Sequence, residues 1–165
     1  MTYASPSATK MFAIAGGNIF NASTSGTVGA AVVASLTNSR FQYVNMSTAG
    51  GNFLLSVNGA DKLQGYDGTN WYVDGDASHD ITGVDTSTCI NINLFKTRVW
   101  LIQKATLKVW YGGVNSISGA FNALDFSSIA RRGGHLIAMG TWTIDAGYGA
   151  DDLAVFVTSQ GEIIV

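Results

Sequence analysis

The sequence predicts an all-β fold, and three observations carry that expectation. Its apolar runs are short and rich in Val, Ile, Phe, Trp and Tyr. Asn-Gly, Gly-Gly and Asp-Gly pairs bound those runs and supply the positive φ that tight hairpin turns require. Helical periodicity is scarce throughout.

Taken in order, the first hairpin is MFAIAGGNIFN, residues 11–21, with an apolar run, a Gly-Gly turn and then Ile19-Phe20. The stretch VGAAVVASL, residues 28–36, is compatible with a helix by composition. Its Val-Val pair and the flanking TSGT and TNS suit an outer strand at least equally. The second hairpin is NFLLSVNGADKLQGYDG, residues 52–68, turning at Asn58-Gly59 and followed by Trp71-Tyr72-Val73. The third is RVWLIQKATLKVWYG, residues 98–112, with a break near Lys104-Ala105. In TLKVWY, the residues Leu107, Val109 and Tyr111 share one face, and Lys108 and Trp110 the other. NALDFSSIARRGG, residues 122–134, is expected to hold one helical turn stopped by Gly133-Gly134. The fourth hairpin, DDLAVFVTSQGEIIV, closes the chain at residues 151–165.

The hairpins recur. Their apolar runs begin at Phe12, Phe53, Val99 and Leu153, spacings of about 41, 46 and 54 residues, which belong to solenoids and propellers. Strand-like runs at residues 41–46, 89–94 and 136–144 precede the later three hairpins. Strand, link, strand, turn, strand and sometimes a further strand make one antiparallel β-propeller blade. Near-continuous apolar stretches such as VWLI imply burial on both faces, as when sheets stack on sheets. We therefore expect one β-propeller-like domain over residues 1–165, with about three to four blades at residues 1–38, 39–85, 86–132 and 133–165. The last unit has used two or three strands at Val165, which leaves an apolar edge of the sort that proteins cover, charge or close. The expectation is an incomplete propeller, either a segment of a larger one or a module that neighbouring chains complete.

Composition agrees. The 165 residues are 47% hydrophobic and only 12% charged, so disorder is excluded and the surface must be dressed largely in Ser, Thr, Asn and Gly. A net charge of −2 carries no basic excess of the kind that marks a nucleic-acid binder. The acids are uneven: Asp61, Asp67, Asp74, Asp76, Asp80 and Asp85 share their interval with Lys62 alone. Cys89, the single cysteine, excludes an intrachain disulfide and is expected to be a buried small hydrophobe. Apolar runs of a handful of residues give no membrane-spanning helix, and the polar start MTYASPSATK does not resemble a signal peptide.

Catalytic signatures are missing: no G-x-x-x-x-G-K-[ST] loop and no G-x-S-x-G elbow occur, and GYGADD fails the dinucleotide pattern. His79 and His135 lie in no metal-ligand spacing, and Asp80, next to His79, points away from it on a strand. Glu162, the sole glutamate, reads as a turn-exit or edge residue, and Asp151-Asp152 as solvated. Asp74-Gly75-Asp76 with Asp80 offers oxygens suited to calcium but lacks the order and distal glutamate of a hand-type loop; Asp67-Gly68 and Asp74-Gly75 are turn formers in their own right. No catalytic residue, cofactor or metal is expected. Trp100 and Trp110 fall at repeat positions and are expected in the core; Trp71 and Trp142 are freer to serve an interface or a sugar-stacking groove.

Three stretches, RRGGHLIAMGTWTIDAGYGADDLAVFVTSQGEIIV (residues 131–165), FKTRVWLIQKATLKVWYGGVNSISGAFNALDFSS (residues 95–128) and GGNFLLSVNGADKLQGYDGTNW (residues 50–71), resemble tailed-phage and prophage virion proteins. The resemblance is to the tail nozzle, or tail tubular B, proteins of short-tailed phages, and it covers the chain from about Met11 to Val165. It implies a propeller-containing subunit assembled as a ring around the channel that DNA traverses, made in the bacterial cytoplasm and resident in the virion. It implies contacts with copies of itself and other tail proteins, transient DNA passage, no membrane, and no catalytic residues. Members of that family are several times longer, so the chain is expected to be a piece of such a protein.

The expected function is therefore structural. Asp61, Asp67, Asp74, Asp76 and Asp80 are the candidate acidic lining of a channel past which DNA slides, since phosphate is held by Lys and Arg. Trp71 and Trp142 are the candidate interface aromatics. A carbohydrate- or receptor-binding propeller module of a tail is the alternative; it predicts Trp and Tyr exposed beside Asp or Asn. A glycosidase on the same scaffold requires Arg40, Arg98 and an Asp to converge in one cavity.

Overall fold

The computed structural model describes residues 1–145 and 150–165, and those residues form an all-β fold of five sheets. The first sheet is a meander of β1 (Thr2–Ala4), β2 (Thr9–Ala15), β3 (Asn18–Asn21) and β4 (Ala31–Val33). The second is β5 (Gln42–Thr48), β6 (Gly51–Val57), β7 (Gln64–Tyr66) and β8 (Trp71–Val73). After β9 (Ile81–Thr82), the third runs β10 (Cys89–Phe95), β11 (Arg98–Gln103) and β12 (Lys108–Tyr111); beyond β13 (Gly119–Ala120), β14 (Asn122–Asp125) completes it. The fourth is β15 (Leu136–Asp145), β16 (Ala150–Thr158) and β17 (Ile163–Ile164). In all four sheets, spatial order follows chain order and pairing is antiparallel, so each is built by local turns.

The turns explain the pairing. Gly16 and Gly17, at φ of 55° and 72°, form the expected Gly-Gly hairpin between β2 and β3. The β10–β11 hairpin has the same left-handed geometry without glycine, with Lys96 at 48° and Thr97 at 56°.

Three separate cores fill the spaces between successive sheets. Tyr3, Phe12, Ile19, Leu54 and Tyr66 form the first, where Tyr3 meets Tyr66 edge-on at 5.2 Å. Met46, Phe53, Leu55, Val57, Ile92 and Leu101 form most of the second. Ile102, Val109, Phe126, Leu136, Met139 and Phe156 form the third. The expectation from the VWLI run is met: Val99 and Leu101 face the second core, while Trp100 and Ile102 face the third. In β6, Leu54 and Leu55 divide in the same way between the first and second cores. TLKVWY also splits as expected, with Leu107 and Val109 toward the third core and Trp110 toward the second.

The leading strands of the sheets are neighbours: β10 packs against both β5 and β15. Side-chain amides tie them. Asn45 on β5 accepts from Ala4 N at 3.2 Å and donates to Thr2 O at 2.8 Å, while Asn93 Nδ2 on β10 donates to Met139 O at 2.8 Å. The series is open, since no strand of the first sheet pairs with the fourth among the described residues.

Of the two segments with helical character, the first takes its outer-strand alternative and the second keeps its single turn after an added strand. Residues 28–36 contribute the outer strand β4 rather than a helix. At residues 122–134 the first four residues pair with β12 as β14, and a single turn follows in which Ala130 N donates to Phe126 O. The free edge of β12 offers ladder hydrogen bonds that Asn122 and Asp125, poor helix formers, do not forgo. A parallel two-stranded pair of β9 and β13, unexpected from sequence, brings Ile81, Ile117 and Phe121 over the second core. No helix among the described residues is long and apolar enough to cross a membrane.

Candidate functional site

The acidic stretch is mostly structural. Asp74, just after β8, is 5% exposed; it accepts from Ile81 N at 2.8 Å and Thr86 Oγ1 at 2.5 Å, with Lys62 Nζ at 3.6 Å. Its carboxylate is enclosed within the chain, so it is unavailable to a channel wall. Lys62 also reaches Asp85 at 3.2 Å. Burial works to lower the Lys62 pKa, but Asp85 and Asp74 outweigh it and the group sits above the usual lysine value. Asp85 is held low, first by the Ser87 hydroxyl. Asp61 is half-buried: its oxygens accept from Thr37 N, Thr37 Oγ1 and Asn58 Nδ2 at 2.8, 2.6 and 2.6 Å. Burial pushes that carboxyl up, yet these donors and the Asn38 amide prevail and its pKa is lowered.

Asp67 accepts from Thr69 N and Asn70 N, and Asp76 from Ser78 N, as turn-forming aspartates do. Asp80 is exposed, and its carboxylate is unpaired among the described residues. The loop proposed for calcium spends both Asp74 oxygens on Ile81 and Thr86. Among the described residues, no three His, Cys, Asp or Glu side chains group as a metal site.

The two candidate tryptophans part company. Trp71 is half-buried in the first core, 4.9 Å from Phe12 and 5.3 Å from Tyr66. Trp142 is 64% exposed on the outer face of the fourth sheet. Register explains it: Met139 pairs with Phe156 facing the third core, so Gly140–Val155 and Trp142–Leu153 face away. Ala138, Gly140, Trp142, Val155 and Val157 line a shallow apolar groove of about 500 Å³ there. At the other end of the stack, Met11 and Val32 are exposed on the outer face of the first sheet.

A second, more polar cavity of about 580 Å³ opens where β5, β10 and β15 begin. Arg40, Phe41, Gln42, Asn58, Asn91 and Ile137 are among its lining residues. Apart from Arg40, the sequence singled out none of these residues as part of a site, because the segments that meet are some fifty residues apart in the chain. The convergence that a glycosidase requires is not met: Arg98 instead donates to Gly112 O at 2.8 Å beside Tyr111, and no aspartate among the described residues lines the cavity.

The other reactive groups are engaged structurally. His79 stacks on Tyr72 at 3.9 Å. Glu162 accepts from Arg131 N and Arg132 N, joining the segment before β15 to the β16–β17 turn. Burial, with Asp85 nearby, pushes the Cys89 thiol up to about 12, so it stays protonated at neutral pH. The GYGADD stretch lies partly outside the described residues.

No protein-family model matches the chain, and no curated protein or solved structure matches it significantly.

Proposed function

We propose that the chain is a structural subunit of a phage tail, of the nozzle type its sequence resembles. In this reading, the four antiparallel sheets serve as successive propeller blades, and neighbouring copies continue the stack around a DNA channel. The observation that carries it is the outer face of the fourth sheet, where Trp142 stands 64% exposed above an uncharged apolar groove. Inside the chain, faces of this composition are each covered by the next sheet. The fitting occupant is a second copy presenting its first-sheet face, which carries exposed Met11 and Val32 and is likewise apolar. Two different faces meeting head to tail make a heterologous contact, the kind that builds rings when the rotation between copies closes. Asp61, Asp67, Asp76 and Asp80 are the carboxylates of the proposed lining that remain at least partly exposed to repel passing phosphate.

Light scattering across a concentration series tests the assembly. Wild-type chain should grow in mass with concentration, and Trp142→Lys should remain a monomer with an unchanged circular dichroism spectrum. A wild type that stays monomeric at every concentration would overturn the proposal.

A further inference from the structure

We infer that the polar cavity at the start of β5, β10 and β15 is a binding site for a carboxylate-bearing sugar. This goes beyond assembly and does not depend on it, since the groove around Trp142 shares only Ala138 with this cavity.

The volume of about 580 Å³ lies within the range of small-ligand pockets. Among the described residues, the exposed Arg40 is the only charged one lining it, and its guanidinium has no ion-pair or hydrogen-bond partner there. The nearby acid is already spent, since Asp61 is satisfied by Thr37 and Asn58. A planar guanidinium without a partner suits an anion offering two oxygens to its fork, as a carboxylate does, and the phosphate arm of the test separates the two anions that fit.

The remaining lining selects hydroxyls on a partly apolar ring. Gln42 is exposed, with its amide unengaged among the described residues. Asn91 has a side-chain oxygen enclosed without a donor, at the point where β10 slips register against β11. Bulges of this type re-aim side chains next to sites, and an enclosed amide oxygen without a donor gains when the side chain turns to meet a ligand hydroxyl. Phe41 and Ile137 supply the apolar surface on which the carbon face of a sugar rests.

The site is also built rather than incidental. Asn38 Oδ1 accepts from Arg40 N at 2.9 Å, and Asn38 Nδ2 donates to Asn58 O at 3.2 Å, which fixes the backbone that carries Arg40. Lys104 Nζ donates to Gly59 O at 2.7 Å and anchors that wall to the third sheet.

The test is a titration of the chain with glucuronic acid followed by ¹H–¹⁵N NMR, with glucose, acetate and inorganic phosphate as separate arms. Glucuronic acid should bind at least tenfold more tightly than each of the others, shifting the side-chain amide signals of Gln42 and Asn91. Arg40→Gln should lose at least tenfold in that affinity while its backbone spectrum stays that of the folded chain, and Arg40→Lys should fall between. The proposal is overturned if glucuronic acid does not bind. It is equally overturned if glucose, acetate or phosphate binds as well, or if Arg40→Gln leaves affinity unchanged.

Discussion

Thr86 Oγ1 donates to Asp74 Oδ2 at 2.5 Å and accepts from Leu63 N at 3.0 Å, so one buried hydroxyl joins the loop after β8 to the start of β7. Replacing it with the isosteric valine strands a buried amide and removes a donor from an enclosed carboxylate. Thr86→Val should therefore destabilise the chain by about 2–4 kcal/mol, counting the two groups left short of partners. The urea midpoint should fall with an unchanged slope. An unmoved midpoint would show the relay to be energetically idle.

Asp61 provides an acid-linked term. Its folded pKa lies below its unfolded value, so its contribution is complete above the unfolded pKa and is lost as pH falls through the folded one. Stability of the wild type should decline on acidification below about pH 4, the ordinary aspartate range. Asp61→Asn should flatten that decline, as read from urea midpoints measured against pH. Parallel curves for the two proteins would contradict the assignment.

Thr97, a β-branched residue at φ of 56°, occupies a conformation that suits glycine. Thr97→Gly should raise the melting temperature through a net gain of about 0.5–1 kcal/mol, after the extra chain entropy of glycine is subtracted from the relieved strain. A lower melting temperature would mean that the Thr97 hydroxyl, which donates to Lys96 O at 2.7 Å, outweighs the strain.

At Gly65 the opposite holds, since a β-carbon there would stand 2.1 Å from the Tyr72 ring. Gly65→Ala should cost about 1–3 kcal/mol by overpacking, measured by chemical denaturation. Tyr72 stacks on His79, so the displaced ring cannot move without opening that contact.

Cys89 should resist alkylation at pH 8 in the native chain and react promptly in denaturant. Both burial and a thiol pKa of about 12 withhold the thiolate. Fast native labelling, followed by mass spectrometry, would show that β10 opens readily.

The strands were legible wherever local chemistry decided them. VWLI announced a strand buried on both faces, and the Gly16-Gly17 pair announced its hairpin. The Lys96-Thr97 hairpin shows that a two-residue turn also forms when register on both sides fixes it, without the usual residues. The β9–β13 pair was not legible, because two-residue strands joined across nearly forty residues leave no local periodicity. Among the candidate residues, Trp142 was recognisable as free of the repeat, whereas Asp74 was not recognisable as buried. Its partners Ile81, Thr86 and Lys62 are set by loop conformation that composition does not encode. Of the cavity residues only Arg40 was singled out from sequence as part of a site, and its neighbours there were not, for the same reason.

The second and third sheets each lend side chains to two cores, through β6 and β8 in the one and β10, β11 and β12 in the other. Cooperativity must therefore pass through these two sheets, one neighbour to the next, as in a linear array. A nascent chain emerging from the ribosome can complete each meander before the following one is made, because every sheet except the small parallel pair is assembled from adjacent segments. Mechanical failure should run the same way in reverse, peeling sheet by sheet and pausing where the third sheet, then the second, must be torn from both sides at once.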